Sequence, residues 1–167
     1  MKKFINLFFL IIFLAFAFCS CSVKINTPKM PSTFKQNAVV TLGDFSFDCE
    51  ICKDESSVST KLNNTNALGL VMTYDGNNIN FKYNDFSYDF DASNFEKANT
   101  SIIVYNVLDE LDSEDVQMHI IDGGVKYEGK TDFGSFILIQ NDNGTLKSLV
   151  FKNNDFINGS NYRIKRS

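Results

Sequence analysis

Apolar and polar side chains alternate with a period of two along most of the chain after residue 37. Ala38, Val40 and Leu42 form the first such run, and Phe45 and Phe47 begin the second. Alternation of this kind is typical of an antiparallel strand that buries one face and leaves the other in water. The pattern therefore predicts that the chain is built mainly from half-buried strands.

Turn signals divide the later alternating runs into hairpins. Asp75-Gly76, Gly123-Gly124 and Asn143-Gly144 each separate two such runs, and these residue pairs suit the backbone of tight hairpin turns. A last, weak strand is predicted at residues 161–165. Together the runs predict a mostly β fold, an antiparallel sheet of about eight to ten strands.

One segment, residues 100–111, has a different period. Ile103, Val107 and Leu111 recur every fourth residue, which is the spacing of one face of a helix, and residues 99–101 offer polar caps for its start. The segment is predicted to be one amphipathic helix. An amphipathic helix among antiparallel strands has its natural place on the open face of the sheet.

The first twenty residues have the composition of an export signal. Lys2 and Lys3 precede a run at residues 4–18 that is apolar except for Asn6, as in signal peptides. The run of about fifteen residues is shorter than the roughly 20 that a stable membrane-spanning helix needs. Residues 1–20 are therefore predicted to be a signal peptide, and the alternative is an uncleaved anchor helix.

The segment around Cys21 resembles a bacterial lipobox, because the small residue Ser20 precedes this cysteine. Cys19 fits less well, because the bulky Phe18 precedes it. The resemblance implies cleavage before Cys21 and a diacylglyceryl group on its thiol, and two acyl chains give stable anchoring. The protein is thus expected to be exported and held at the outer face of the cell membrane.

The predicted domain organisation follows from this processing. Residues 21–37 are expected to be the lipidated cysteine and a flexible tether, because Pro28 and Pro31 interrupt a polar stretch with no apolar period. The alternative for this stretch is an ordered first strand. Residues 38–167 are expected to form one β-rich domain, which is predicted to be monomeric.

The charge balance narrows the classes of partner. The chain has 16 basic and 20 acidic residues and a net charge of −4. An acidic chain lacks the basic footprint that nucleic acid requires, and it gains little from anionic headgroups. No nucleic-acid partner is expected, and membrane contact is assigned to the lipid anchor.

Residues capable of chemistry are few. Cys49 and Cys52 lie three apart in an alternating run, so they are expected to face opposite sides of a strand, too far apart for a disulfide. A loop disulfide would become feasible if the strand ended at Glu50. His119 is the only histidine, so a zinc set is incomplete. No catalytic residue, metal site or cofactor is predicted, and the protein is not expected to be an enzyme.

The layout from residue 34 to the C-terminus resembles small clostridial-type lipoproteins of the LolA-like superfamily, the half-barrel fold of lipoprotein and lipid carriers. The resemblance implies a strongly curved antiparallel sheet with the helix across its concave face, and acyl chains between sheet and helix in relatives. The matching stretches cover most of the mature chain, at residues 34–53, 68–76, 81–90, 122–131, 134–138 and 143–144.

Two functions remain open. One is a module that binds lipid or acyl chains between the sheet and the helix, as a carrier or chaperone, or that binds another lipoprotein. The other is a non-enzymatic interaction protein of the cell envelope with a fully packed core. A cavity of several hundred Å³ would favour lipid, since ligand pockets span about 300–1,000 Å³. The candidate lining residues share the inner strand and helix faces: Phe45, Phe47, Leu70, Met72, Ile79, Phe81, Tyr83, Phe86, Tyr88, Ile103, Val107, Leu111, Met118, Phe136 and Leu138.

Overall fold

The computed structural model describes residues 29–94, 99–153 and 161–167. These residues form eleven strands, one α-helix and a short 3-10 turn at Ala92–Asn94. The helix, α1, spans Thr100–Glu110. The strands are β1 Phe34–Leu42, β2 Phe45–Lys53, β3 Val58–Leu62, β4 Val71–Tyr74, β5 Asn78–Tyr83, β6 Phe86–Asp91, β7 Gln117–Ile121, β8 Gly124–Thr131, β9 Gly134–Asn141, β10 Leu146–Lys152 and β11 Asn161–Arg166.

All eleven strands belong to one curved, open antiparallel sheet. Their order is β6-β5-β4-β3-β2-β1-β11-β10-β9-β8-β7, so β1 and β11 join two meanders and β6 and β7 are the edges. The segment between β6 and β7 must therefore cross from one edge to the other, and it carries α1. The predicted fold class is confirmed, with one strand more than the upper end of the predicted range.

Helix α1 lies on the concave face, where it contacts β3 and β4 in one half of the sheet and β8 in the other. Its apolar residues Ile103, Val104 and Val107 are almost fully buried against both halves. Strands β1–β3 and β8–β11 contribute alternate residues to the same core, as the period of two predicted. Tyr74 of β4 and Ile79 of β5 form a smaller cluster with Ile102 of the helix. The largest fully buried strand side chains include Phe151, Ile51, Ile79, Leu138, Leu146, Leu149 and Ile164.

Close packing fixes the residue type at one position in β8. A Cβ on Gly129 would lie 2.7 Å from Cζ of Phe136 and 2.9 Å from Cγ2 of Val116. The Phe136 ring therefore rests on the bare backbone of β8, because real Cβ atoms are not found this close to other carbons. On the concave face, the Phe136 side chain of β9 therefore leans over the neighbouring strand β8.

The domain begins earlier than predicted. Strand β1 starts at Phe34 rather than near Ala38, because residues 34–37 pair with the end of β2, from Phe34 opposite Lys53 to Asn37 opposite Glu50. Met30 packs against the core ahead of this strand. The last part of the predicted tether is thus ordered, whereas the predicted signal peptide, Cys21 and the predicted tether up to residue 28 lie outside the described residues.

The last strand, which its polar sequence made uncertain, is present. Strand β11 pairs with β1 on one side, with Val40 opposite Ile164, and with β10 on the other. Its inward residues Tyr162 and Ile164 are buried. Across the three described ranges, no helix is both long and apolar enough to span a bilayer.

Candidate functional site

The concave face of β4, β5 and β6 is built from three rows of side chains that lie next to one another across the strands. Helix α1 covers the start of the first row, where the rings of Tyr74 and Tyr105 meet edge to face at a centroid distance of 5.0 Å. The β6 end of every row is exposed, so exposure rises towards β6. The rows are Tyr74, Ile79 and Phe90, then Met72, Phe81 and Tyr88, and last Tyr83 and Phe86.

Four aromatic residues at this edge form what we call the aromatic patch: Tyr83, Phe86, Tyr88 and Phe90. Their exposed fractions are 42%, 65%, 60% and 44%. An aromatic side chain has about 150–250 Å² of surface, so the patch exposes on the order of 400 Å². The largest apolar patch on a typical monomeric protein is about 300–600 Å² and is often functional, so the aromatic patch is a candidate interaction site.

The outer face of the same edge is polar and internally hydrogen bonded. Nδ2 of Asn80 donates to Oγ of Ser87 at 2.9 Å and to Oδ1 of Asp89 at 2.8 Å. The aromatic and polar residues of β6 therefore separate cleanly onto the two faces. The aromatic patch is a property of the concave face and not of a generally apolar strand.

The first turn of α1 is fixed to the sheet by buried polar groups. The Ser101 hydroxyl donates to the carbonyl oxygen of Met72 at 2.8 Å and shares a hydrogen bond with the Thr60 hydroxyl at 2.9 Å. The hydroxyls of Thr100 and Tyr162 are also hydrogen bonded to each other. Oδ1 of Asn99 caps the helix by accepting from the Ser101 amide at 2.9 Å. This end of the helix is held in one position beside the aromatic patch.

The space beneath the helix is closely packed. Five of the predicted lining residues there have exposed fractions of 2% or less: Ile79, Ile103, Val107, Phe136 and Leu138. Two of the cavities that the described residues line lie beside the helix. One, of about 200 Å³, lies beside Leu108 and Leu111, and the other, of about 260 Å³, lies beside Ile102. Both are smaller than the roughly 300 Å³ at which ligand pockets begin.

The structure divides the remaining predicted lining residues into two groups. Met72, Phe81, Tyr83, Phe86 and Tyr88 come together on β4–β6. The others are not part of this group. Phe45 is 59% exposed at the β1–β2 turn, Met118 is 49% exposed on the opposite edge strand, and Phe47, Leu70 and Leu111 are half-buried elsewhere around the core.

Sequence reasoning did not single out Phe90, the fourth member of the aromatic patch. Its alternation with Ser87 and Asp89 placed it correctly on the inner face of its strand. Whether an inward residue is exposed depends on where the covering helix ends. The period of a strand does not predict that position.

The two described cysteines lie on opposite faces of β2, as predicted, and both are free. Cys49 is buried in the core, and burial raises the pKa of its thiol to about 12. Cys52 lies on the outer face, half-buried. His119 is exposed on the outer face of β7, with Nε2 3.9 Å from a carboxylate oxygen of Glu128. Within the described residues, no three potential metal ligands cluster.

Comparison with known proteins gives matches at the level of solved structures. The chain is similar to a LolA superfamily protein from Nitrosomonas europaea, at 10% identity and a TM-score of 0.42 over 84% of this chain and 86% of that one. It is also similar to the Mycobacterium tuberculosis lipoprotein LppX, at 15% identity and a TM-score of 0.30 over 81% and 85%. No family model and no curated protein matches.

The LolA superfamily, which the sequence pattern resembles, is thus represented among the structural neighbours. The similarity concerns the fold alone. The fold is assigned from the curved open sheet and the helix on its concave face. The clostridial type of the resemblance stays a prediction.

Proposed function

We propose that this protein is an exported lipoprotein, held at the outer face of the cell membrane by a diacylglyceryl group on Cys21, whose domain binds acyl chains on the aromatic patch. The observation that carries the proposal is the cluster of four inward-facing aromatic residues, exposed by 42–65% beside an otherwise buried core. The module acts by binding, as a lipid carrier or chaperone, and needs no catalytic group.

The chemistry of the aromatic patch suits an acyl chain better than a polar ligand. Its members are Phe and Tyr, and their aromatic rings offer flat apolar surface, while the hydroxyls of Tyr83 and Tyr88 can bond the ester region of a lipid. The patch continues into half-buried Phe81 and Met72 next to the helix. Methionine adapts its shape readily to a neighbouring chain.

Binding on the aromatic patch requires no movement of the helix. An acyl chain beneath α1 would have to displace residues that are now packed, and it would strain the hydrogen bonds that hold Ser101. The exposed patch is open to solvent as the domain stands. We therefore place the first contact of the lipid on β5 and β6 and not between the helix and the middle of the sheet.

Native mass spectrometry of the full chain, gently extracted from membranes, tests the proposal. We compare Tyr88→Glu, which puts a charge into the aromatic patch, with Ser87→Glu, which puts the same charge on the outer face of the same strand. Both positions are exposed, so both variants should fold. Co-purifying lipid should be lost from Tyr88→Glu and kept in Ser87→Glu.

Two results would contradict acyl-chain binding at this place. One is a lipid-free wild-type protein that also fails to bind added phospholipid. The other is equal lipid retention in both variants, with folding confirmed by circular dichroism.

The close packing under the helix favours a second candidate, an envelope protein that uses the same patch to bind another lipoprotein. Cavities of about 200 and 260 Å³ beside the helix are small for a lipid. In that case the aromatic patch contacts protein side chains, and lipid is absent from every form in the experiment above.

A further inference from the structure

A second surface, independent of the aromatic patch, lies on the outer face of the other half of the sheet. Strands β8, β9 and β10 border a groove there, with a volume of about 620 Å³. Among its lining residues are Glu128, Lys130, Ser135, Ile137, Val150 and Lys152. The volume lies within the range of ligand sites in proteins, about 300–1,000 Å³.

Strand register places two ammonium groups and one hydroxyl in a row across this groove. Lys130 lies opposite Ser135 in the β8–β9 pair, and Ser135 lies opposite Lys152 in the β9–β10 pair. Neighbouring strands are about 4.8 Å apart, so the two lysine backbones are about 10 Å apart with the serine between them. Both lysine side chains are long enough to reach a ligand above Ser135.

The next row forms an apolar floor. Ile137 lies opposite Val150, and both are half-buried although they are on the outer face. A strand with one face in water normally places polar residues outward. Residues 136–139 are instead apolar on both faces, a pattern typical of a strand that is covered on both sides. This uninterrupted run is the sequence signal that points to the outer groove.

The charges of the groove favour an anion near the two lysines. Within residues 29–94, 99–153 and 161–167, neither Lys130 nor Lys152 has a carboxylate within 4 Å. Glu128 is occupied by Lys126, whose Nζ is 2.5 Å from Oε1, and this hydrogen bond lowers the pKa of the Glu128 carboxyl. Asp115, which lies just before β7, also lines the groove.

We propose that this groove binds the phosphate group of a small phosphate ester. The ammonium groups of Lys130 and Lys152 and the hydroxyl of Ser135 donate to the phosphate oxygens, and the organic part of the ester lies on Ile137 and Val150. Three donors from three strands suit a tetrahedral oxyanion with at least three acceptor oxygens better than a carboxylate with two. The phosphate belongs either to a glycerophospholipid headgroup or to a soluble ester.

Binding of glycerol phosphate to the full chain, measured by isothermal titration with glycerol as the uncharged control, tests this site. In Lys130→Gln/Lys152→Gln the affinity should fall by about tenfold or more, because charge-assisted hydrogen bonds to the phosphate are lost. The matched control is Lys61→Gln/Lys82→Gln, which removes two exposed lysines from the outer faces of β3 and β5. It should bind as the wild type does.

The vesicle arm of the experiment identifies the source of the phosphate. The vesicles are tested with Cys21→Ala, which lacks the thiol for the lipid anchor. Its binding to phosphatidylglycerol vesicles that glycerol phosphate competes away identifies a lipid headgroup, whereas binding of the soluble ester alone identifies a soluble ligand. Equal losses in the two double variants would overturn the proposal. So would a wild-type affinity for glycerol phosphate no greater than for glycerol. Tyr88→Glu should leave glycerol phosphate binding unchanged, which separates this site from the aromatic patch.

Discussion

At the scale of single residues, Cys49 and Cys52 show how far a strand period can be trusted. Residues three apart in a strand face opposite sides, and the structure places Cys49 between Ala38 and Leu62 in the core and Cys52 between Lys35 and Ser59 outside. The period predicted the faces correctly. It could not predict how completely each thiol is buried, because that depends on the helix above the sheet.

Burial of Cys49 predicts a stability that falls at alkaline pH. Its pKa is raised to about 12 by desolvation, from an ordinary 9.0, so the folded protein keeps a proton that the unfolded chain loses. The contribution is complete below the ordinary thiol pKa and is lost as the pH rises above it. The urea midpoint of the wild type should therefore fall between about pH 8 and about pH 10.

The cysteine variants separate this effect from other titrations. The midpoint of Cys49→Ala, followed by circular dichroism, should fall less over this range than that of the wild type. Cys52→Ala should resemble the wild type more closely, because Cys52 is less buried. An identical decrease in all three proteins would exclude Cys49 as its cause.

Other residues that fix the packing of the core could not be identified from the sequence pattern. Gly129 is required by a Phe136 ring that a Cβ would approach to 2.7 Å. The Thr60 hydroxyl meets Ser101 of the helix, 41 positions later in the chain, at 2.9 Å. Contacts of this kind depend on the final packing of distant segments, which local patterns of polarity do not encode.

At the scale of elements, strands, turns and helix were predictable because their signals are local. The helix begins at Thr100 with Asn99 as its cap, within the predicted range. The start of β1 was predicted too late because Gln36 faces the core. A polar residue on the inner face hides the apolar period, and two nearby prolines made the segment look like a tether.

A cross-link between helix and sheet distinguishes binding on the aromatic patch from binding beneath the helix. The hydroxyl oxygens of Thr60 and Ser101 are 2.9 Å apart, so Thr60→Cys/Ser101→Cys offers a pair of adjacent thiols, in a Cys52→Ser background that removes the half-exposed thiol. If acyl chains bind on the patch, native mass spectrometry of the oxidised protein should still show lipid, because the helix need not move.

The reduced form of the same variant is the internal control for folding and for the two substitutions. Loss of lipid on oxidation, with recovery after reduction, would show that the chain enters beneath α1. That outcome would remove the aromatic patch as the binding surface while leaving the outer groove untouched.

At the scale of the whole molecule, the two halves of the sheet carry different chemistry on opposite faces. The concave face of β4–β6 is aromatic, whereas the outer face of β8, β10 and β11 brings together Lys126, Lys130, Lys152, Arg163 and Lys165. The net charge of −4 conceals this basic face. The composition therefore predicted no anionic partner. The basic residues become neighbours only when strands that are distant in sequence pair in the sheet.

If Cys21 carries the lipid, the position of the ordered N-terminal segment limits how far the domain can stand from the membrane. Residues 29–32 border a small cavity together with Leu108 and Leu111 at the end of the helix, and Met30 packs against the core. Eight residue steps separate Cys21 from Lys29. At about 3.6 Å or less per residue, a lipid on Cys21 would hold the domain within about 29 Å of its anchor point. The end of the sheet where β1 begins would then be nearest the bilayer.

Membrane attachment should depend on Cys21 alone. In a bacterial host that matures lipoproteins, the full chain should fractionate with membranes, and Cys21→Ala should be released because it lacks the thiol that would carry the two acyl chains. Cys19→Ala is the matched control and should stay membrane-bound. If Cys21→Ala also remains in the membrane fraction after a high-salt wash, the attachment is the uncleaved N-terminal helix, and the lipid assignment of Cys21 is wrong.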